Sequence, residues 1–354
     1  MSATIENLLE VACNKEASDL HLLAGLPPML RIDGTLRPIP GETILTPESA
    51  KELVLSLLTD EQKELYKVNK DFDFSLPFAN KARFRVNAYV QKGTLAASLR
   101  LIPNEIKGIE ELGLPSICHK FAELRQGFVL VTGPTGHGKS TTLAAIINEI
   151  NKERGCHIVT IEDPIEFVFT QGKSIISQRE IHQDTHSWDI ALRSVLREDP
   201  DVVLIGEMRD LETMSAALTI AETGHLVFAT LHTNSAAQTV DRIIDVFPDT
   251  SKEQVRMQLS SVIEAVFSQR LLPSLKSGRL VASEVMVATP AIKNAIREGK
   301  THQLDNIIQT SASLGMTTLE SSLVNLVTQG KIALEVAESY ALRPEELIRL
   351  VKTR

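Results

Sequence analysis

Phe128-Val129-Leu130-Val131-Thr132-Gly133-Pro134-Thr135-Gly136-His137-Gly138-Lys139-Ser140 decides the reading of this chain: an apolar strand runs into a glycine-rich turn that opens a helix. From Gly133 to Ser140 the stretch satisfies the Walker A pattern, in the strand–loop–helix setting that pattern requires. Its glycines let successive backbone N–H groups converge on phosphate oxygens, and the amino end of the helix adds partial positive charge. The expected ligand is ATP with Mg2+. Its contacts are Gly133, Pro134, Thr135, Gly136, His137, Gly138, Lys139, Ser140 and Thr141. Lys139 reaches the β- and γ-phosphates, and the Ser140 hydroxyl ligates Mg2+.

Three further apolar runs follow: His157 to Ile161, Val202 to Ile205 and Leu226 to Leu231. Helical patterns over Ser140 to Glu153, Ser187 to Arg197 and Leu211 to Thr223 separate them. Near-continuous apolar strands alternating with helices predict an α/β fold, a mostly parallel sheet covered on both faces. Its ligand site lies beyond the carboxyl ends of the strands, and each of those ends carries a polar cluster. One more apolar run, Leu280 to Val287, precedes a helical tail that Thr289-Pro290 opens as a cap.

Asp201-Val202-Val203-Leu204-Ile205-Gly206-Glu207 reads as a buried strand ending in a carboxylate, a Walker B arrangement. Glu207 is expected to hold Mg2+ through a water. Between the two motifs, Ile158 to Glu166 ends in Glu162, Asp163 and Glu166, any of which could orient and deprotonate an attacking water. Such a base is worth about 10²–10⁴ in rate, and spacing alone does not choose among the three. His225 and His232 bracket the last strand. His232, beyond its carboxyl end, is the stronger candidate for sensing a γ-phosphate.

Upstream, Met29 to Arg37 alternates and breaks at Asp33-Gly34, and Ala82 to Leu101 folds back around Lys92-Gly93. A two-residue loop at Lys92-Gly93 sets residues whose numbers sum to 185 opposite one another. Phe84, Val86 and Ala88 then meet Leu101, Leu99 and Ala97, while Arg85 lies across from Arg100. Like charges placed directly opposite are destabilising, so the pair looks built to receive an anion, namely the γ-phosphate of ATP. The competing reading matches both arginines with acids such as Asp71 and Asp73.

The 354 residues are 43% apolar and 23% charged, the balance of a globular chain long enough for two domains. A net charge of −8 argues against sequence-independent nucleic-acid binding, so no nucleic-acid partner is expected. Cys13, Cys118 and Cys156 are isolated and read as small buried hydrophobes rather than zinc ligands. Met1 to Lys15 lacks the basic start and apolar run of a signal peptide, and no stretch suits a membrane span. The expected location is the cytoplasm, peripheral to the inner membrane through partners.

Taken in order, the Walker A stretch, Thr160-Ile161-Glu162-Asp163-Pro164-Ile165-Glu166, Leu204-Ile205-Gly206-Glu207-Met208-Arg209-Asp210 and Thr223 to Thr233 resemble the secretion ATPase superfamily. That superfamily drives type II secretion and type IV pilus machines. The resemblance extends over nearly the whole chain, including Ser18-Asp19-Leu20-His21-Leu22. It implies a PAS-like amino-terminal domain (1–102), a linker (103–118), a RecA-like ATPase domain (119–288) and a carboxyl-terminal helical region (289–354). It also implies a homo-hexameric ring, Glu166 as the catalytic base, a histidine box holding His225 and His232, and arginine fingers at Arg85 and Arg100. Ala295-Ile296-Arg297-Glu298-Gly299-Lys300 matches the signature of the pilus-retraction branch. The partners this implies are a membrane-embedded pilus platform protein and a paralogous retraction ATPase. Assembly and secretion relatives commonly carry a long amino-terminal extension and a tetracysteine insertion, and neither stands in this sequence. His137 departs from the superfamily, which usually has Ser there. The alternatives are an extension or type II secretion ATPase, a nucleic-acid motor, or a nucleotide-gated scaffold without turnover.

Overall fold

The computed structural model describes residues 4–353 apart from 33, 79–81, 104 and 277. Asp33 of the Asp-Gly turn, the first three residues of the amino-terminal pattern and residue 104 of the expected linker lie outside the described residues. The chain forms two units: Met1–Glu105 with Pro164–Val168, and Ile106–Asp163 with Phe169–Arg354.

In the first unit, β1 (Asp19–Leu22), β2 (Met29–Ile32), β3 (Thr35–Pro38), β4 (Asp71–Phe78), β5 (Ala82–Gln91) and β6 (Thr94–Pro103) build an antiparallel sheet. Its order is β3-β2-β1-β6-β5-β4. Lys92 and Gly93 have φ of 48° and 78°, the pair of left-handed residues that a two-residue I′ turn needs. This turn fixes the register, so Phe84, Val86 and Ala88 pair with Leu101, Leu99 and Ala97, and Arg85 pairs with Arg100. The apolar side shares a core with Leu8 and Leu9 of helix Ile5–Asn14 and with Ala50 and Val54 of helix Pro47–Ser56. Reciprocal capping boxes at Thr46/Ser49 and Thr59/Gln62 start the two later helices of this unit.

The second unit holds β7 (Gly127–Thr132), β8 (His157–Glu162), β9 (Ile175–Glu180), β10 (Val202–Ile205), β11 (Leu226–Leu231), β12 (Ile263–Pro273) and β13 (Arg279–Val287). They lie in the order β13-β12-β7-β11-β10-β8-β9, with every neighbouring pair parallel except β12 and β13. The four strands read from their apolar runs occupy the centre and are buried along their length, as in Phe128, Val129, Leu130 and Val131. Two strands escape a search for apolar runs. β9 lies at the sheet's edge, where half-exposed polar residues are tolerated. β12 is almost wholly buried, yet Ser268-Gln269-Arg270 interrupts its apolar pattern. Flanking helices bury one face each. Ser187 and Asp210 cap Trp188–Val195 and Leu211–Glu222, and Thr289 caps Pro290–Arg297, which stops where Gly299 turns left-handed at φ 69°.

Among the described residues no helix is long and apolar enough to cross a membrane. The three cysteines are free. Burial pushes the Cys118 thiol up to about 12, which keeps it protonated and inert at neutral pH.

Glu284 of β13 is a carboxyl group at odds with its buried surroundings. Its Oε1 accepts the Ala236 N–H at 2.6 Å, at the amino end of helix Ala236–Asp245. Burial pushes its carboxyl up to about 7, with Asp305 and Glu320 adding to the rise and the Ala236 N–H and Arg343 opposing it. An unfolded glutamate titrates near about 4.3, so the folded protein keeps a proton that the unfolded chain has already lost. Stability from this group is therefore greatest below about pH 4 and is lost as pH rises through about 7. Glu284→Gln keeps an acceptor for Ala236 and buries no charge. In denaturant melts it is expected to gain on the order of 2 kcal/mol at pH 8 and almost nothing at pH 4.5. An equal effect at both pH values would contradict this assignment.

Candidate nucleotide site

β7 feeds the Gly133–Gly138 turn, and the turn opens helix Lys139–Glu153. Two of its glycines are required by geometry. A Cβ on Gly133, at φ 140°, would stand 2.4 Å from the Gln269 carbonyl oxygen of β12, so only glycine allows that approach. Gly138 caps the helix at φ 82°, a left-handed conformation that costs a side-chain-bearing residue roughly 1 kcal/mol or more. Ser140 and Thr141 lie in the first turn of the helix, half-buried.

Lys139 is buried, and its Nζ donates to the loop's own carbonyls at 2.9 Å (Gly133) and 3.1 Å (Pro134). His232, the first residue past β11, stands beside it. Its Nδ1 lies 3.4 Å from Lys139 Nζ and 3.3 Å from Thr135 Oγ1, while its Nε2 lies 2.9 Å from Glu207 Oε1. An ammonium can only donate and a carboxylate can only accept. Both contacts are met by the neutral imidazole carrying its proton on Nε2. His232 thus bridges Walker A to Walker B.

Glu207 follows Gly206, whose N–H donates to Ile161 O at 2.8 Å, so the end of β10 is held against the end of β8. Its second oxygen accepts from Arg209 at 2.8 Å. Burial pushes the Glu207 carboxyl up, but Arg209 and His232 outweigh it and hold the group below its ordinary value. The carboxylate is therefore ionised at neutral pH.

The remaining residues singled out from sequence fall elsewhere. His225 precedes β11, at the opposite end of the strand from His232, roughly 20 Å away at a strand's rise per residue. Its Nδ1 contacts Ile220 O at 3.1 Å and Thr223 Oγ1 at 3.0 Å, and the structure does not bring it to Lys139. Glu162 ends β8, buried, with Thr160 Oγ1 donating to it at 2.7 Å. Glu166 lies in the Pro164–Val168 segment, grouped with the first unit. Arg85 and Arg100 also belong to the first unit, directly across from each other. The acid that meets Arg100 is neither Asp71 nor Asp73. Asp19 of β1 takes Arg100 Nε at 3.1 Å and Arg31 Nε at 3.5 Å. Arg85 makes no ion pair among the described residues.

Sequence reasoning missed the support of the loop. Gln269 is fully buried; its Nε2 donates to His137 O at 2.6 Å and its Oε1 accepts from Thr142 Oγ1 at 2.8 Å. Arg270, also buried, donates to Gln269 O at 3.0 Å and to Asn234 Oδ1 at 3.0 Å, tying the loop after β11 to the same strand. The available signal was a pair of long polar side chains inside an apolar stretch, each of which has to find partners if buried. Gln269→Leu keeps the volume and removes both amide contacts. It is expected to raise the KM for ATP roughly tenfold and to lower the melting temperature, because two partners of a buried amide are left unpaired; an unchanged KM would show that Gln269 does not hold the loop.

Three comparisons fit this geometry. The family described as "Type II/IV secretion system protein" matches residues 1–338. A Pseudomonas aeruginosa protein named "Type IV pilus retractation ATPase PilT" is 49% identical, with 96% of this chain and 99% of that protein aligned. "Type IV pilus ATPase PilU" of the same organism is 40% identical, covering 98% of this chain and 91% of its own length. The solved structure titled "Crystal Structure of the Pilus Retraction Motor PilT and Bound ADP" superposes with a TM-score of 0.92 at 44% identity, covering 98% of this chain and all of that one. Shared sequence from end to end, shared topology and a phosphate-binding loop joined to an ionised acid agree: the chain is an ATPase belonging to the Type II/IV secretion system protein family.

Proposed function

We propose that this ATPase powers retraction of type IV pili, working as a homo-hexameric ring on a platform protein in the inner membrane. The observation that carries the reading is the end-to-end match with a named retraction ATPase, 96% of this chain against 99% of that one. The retraction-type helix end supports it. Helix Pro290–Arg297 buries Ile292, Ala295 and Ile296 and leaves Arg297 and Glu298 exposed. A paralogue of the kind named PilU in Pseudomonas aeruginosa would share the work.

In this reading the residues divide the chemistry as follows. ATP sits on the Gly133–Ser140 loop, with Lys139 turned from the loop carbonyls to the β- and γ-phosphates; His225, at the far end of β11, takes no part in holding it. Mg2+ suits the oxygen donors present, the Ser140 hydroxyl and the ionised Glu207, the latter acting through water. When bound it would neutralise charge on the β- and γ-phosphates. Among the described residues no cluster of three or more His, Cys, Asp or Glu could hold a metal. His232, already touching Lys139 and Glu207, reports the γ-phosphate to both. Glu166 orients and deprotonates the attacking water. Arg85 and Arg100 of the PAS-like domain approach the γ-phosphate, with Arg100 leaving Asp19 to do so. Loss of phosphate then releases the arginines, and the PAS-like domain turns about the 103–118 linker relative to the RecA-like domain.

Glu166→Gln is expected to lower kcat about 10²–10⁴-fold while magnesium ADP still binds; full turnover in that variant would remove Glu166 from the role of base. Deletion of the gene in its host is expected to leave cells hyperpiliated and unable to twitch. Bald cells would assign the chain to extension, and piliated, motile cells with a secretion defect would assign it to type II secretion.

A further inference from the structure

His137 is built into the loop by more than its backbone. β7 ends at Thr132, and its pairing with β12 ends there too, at Ser268. β12 continues to Pro273, so past Ser268 that edge of the strand has no neighbouring strand among the described residues. The His137 imidazole takes over the position. Its Nδ1 accepts the Leu271 N–H at 3.1 Å, and its carbonyl oxygen accepts from Gln269 Nε2 at 2.6 Å. The ring lies 6.1 Å from that of Tyr340, tilted by 53°, at the end of helix Leu334–Tyr340.

We infer that His137 is a positioning residue whose neutral imidazole pins the phosphate loop to β12, so that acidification unpins the loop and weakens nucleotide binding. A backbone N–H pointing at Nδ1 requires a lone pair there and places the ring proton on Nε2. An imidazolium has no such lone pair. Every charge facing the ring is also cationic: Arg270 from β12, Lys139 from the loop's own helix and Arg279 from β13, with the Tyr340 ring on the remaining side. Burial first, and then these three cations, hold the His137 pKa below its ordinary value. Protonation thus sets two donors against each other at Leu271 and adds a fourth positive group to the cluster. Gly136 and Gly138 flank the residue at φ 79° and 82°, so the loop rearranges more easily than the strand does. The order of the phosphate-binding amides is what gives way.

The inference rests on nucleotide binding at this loop and on nothing about pili or ring assembly. Its test is calorimetry of magnesium ADP binding to the full chain at pH 7.5, 6.5 and 5.5. Wild type is compared with His137→Asn, whose Oδ1 can accept from Leu271 but does not titrate, and with His137→Ala, which offers no acceptor. Wild-type Kd is expected to rise from pH 7.5 to 5.5 by roughly fivefold more than that of His137→Asn, with His137→Ala the weakest binder at pH 7.5. Parallel pH profiles for wild type and His137→Asn would overturn the proposal, as would tighter wild-type binding at pH 5.5. If the variants fail to fold, the imidazole ¹⁵N shifts of wild-type His137 decide: a proton on Nε2 at pH 7.5 agrees, and one on Nδ1 refutes it. Absence of wild-type binding at pH 7.5 would sink the nucleotide-site assignment itself, a result distinct from parallel profiles.

Discussion

The contact between Gly133 and the carbonyl oxygen of Gln269 is the constraint from which the rest of the nucleotide site is built. At that point the chain leaves β7 beside β12 with no room for a Cβ, and the turn that follows is forced around the end of β12. Gln269 then spends its side chain on both arms of the turn, the His137 carbonyl before the helix and the Thr142 hydroxyl within it. A fully buried amide makes such bonds strong and their loss expensive, because an orphaned partner in a dry interior has no water to turn to. The loop's shape is therefore set by a strand more than a hundred residues away in sequence.

On the other side of the loop, His232 performs a different task. Its two ring nitrogens face groups of opposite character, the Lys139 ammonium and the Glu207 carboxylate. In the proposed reading, a change at either end would shift the ring's proton or orientation and be felt at the other. The ring stands between two motifs that must act together for phosphoryl transfer.

The first unit shows how a destabilising pair is tolerated. The register that buries Phe84, Val86 and Leu99 obliges Arg85 and Arg100 to face each other, because side chains alternate with period two along a strand. Asp19, entering from β1 on the far edge of β6, answers one of the two arginines and shares itself with Arg31. One acid serving two cations leaves the local balance positive, and Arg85 has no ion pair among the described residues.

Local features of the sequence were enough for the central strands, the phosphate loop and the hairpin register. Each follows from a short-range rule: apolar runs for buried parallel strands, glycine spacing for the loop, and Lys92-Gly93 for a two-residue turn that aligns everything behind it. The same rules could not find β9, an edge strand whose polar face needs no apolar run, or β12, whose buried Gln269 and Arg270 read as breaks in a pattern. Strand direction did rank His232 above His225, since only His232 lies beyond the carboxyl end of β11. The short-range rules also missed the true partner of Arg100, since Asp19 reaches it through a strand pairing 81 residues apart. Chain-neighbour chemistry writes itself into sequence as spacing. Contacts between distant segments depend on how the sheet is ordered, and only the folded chain settles that order.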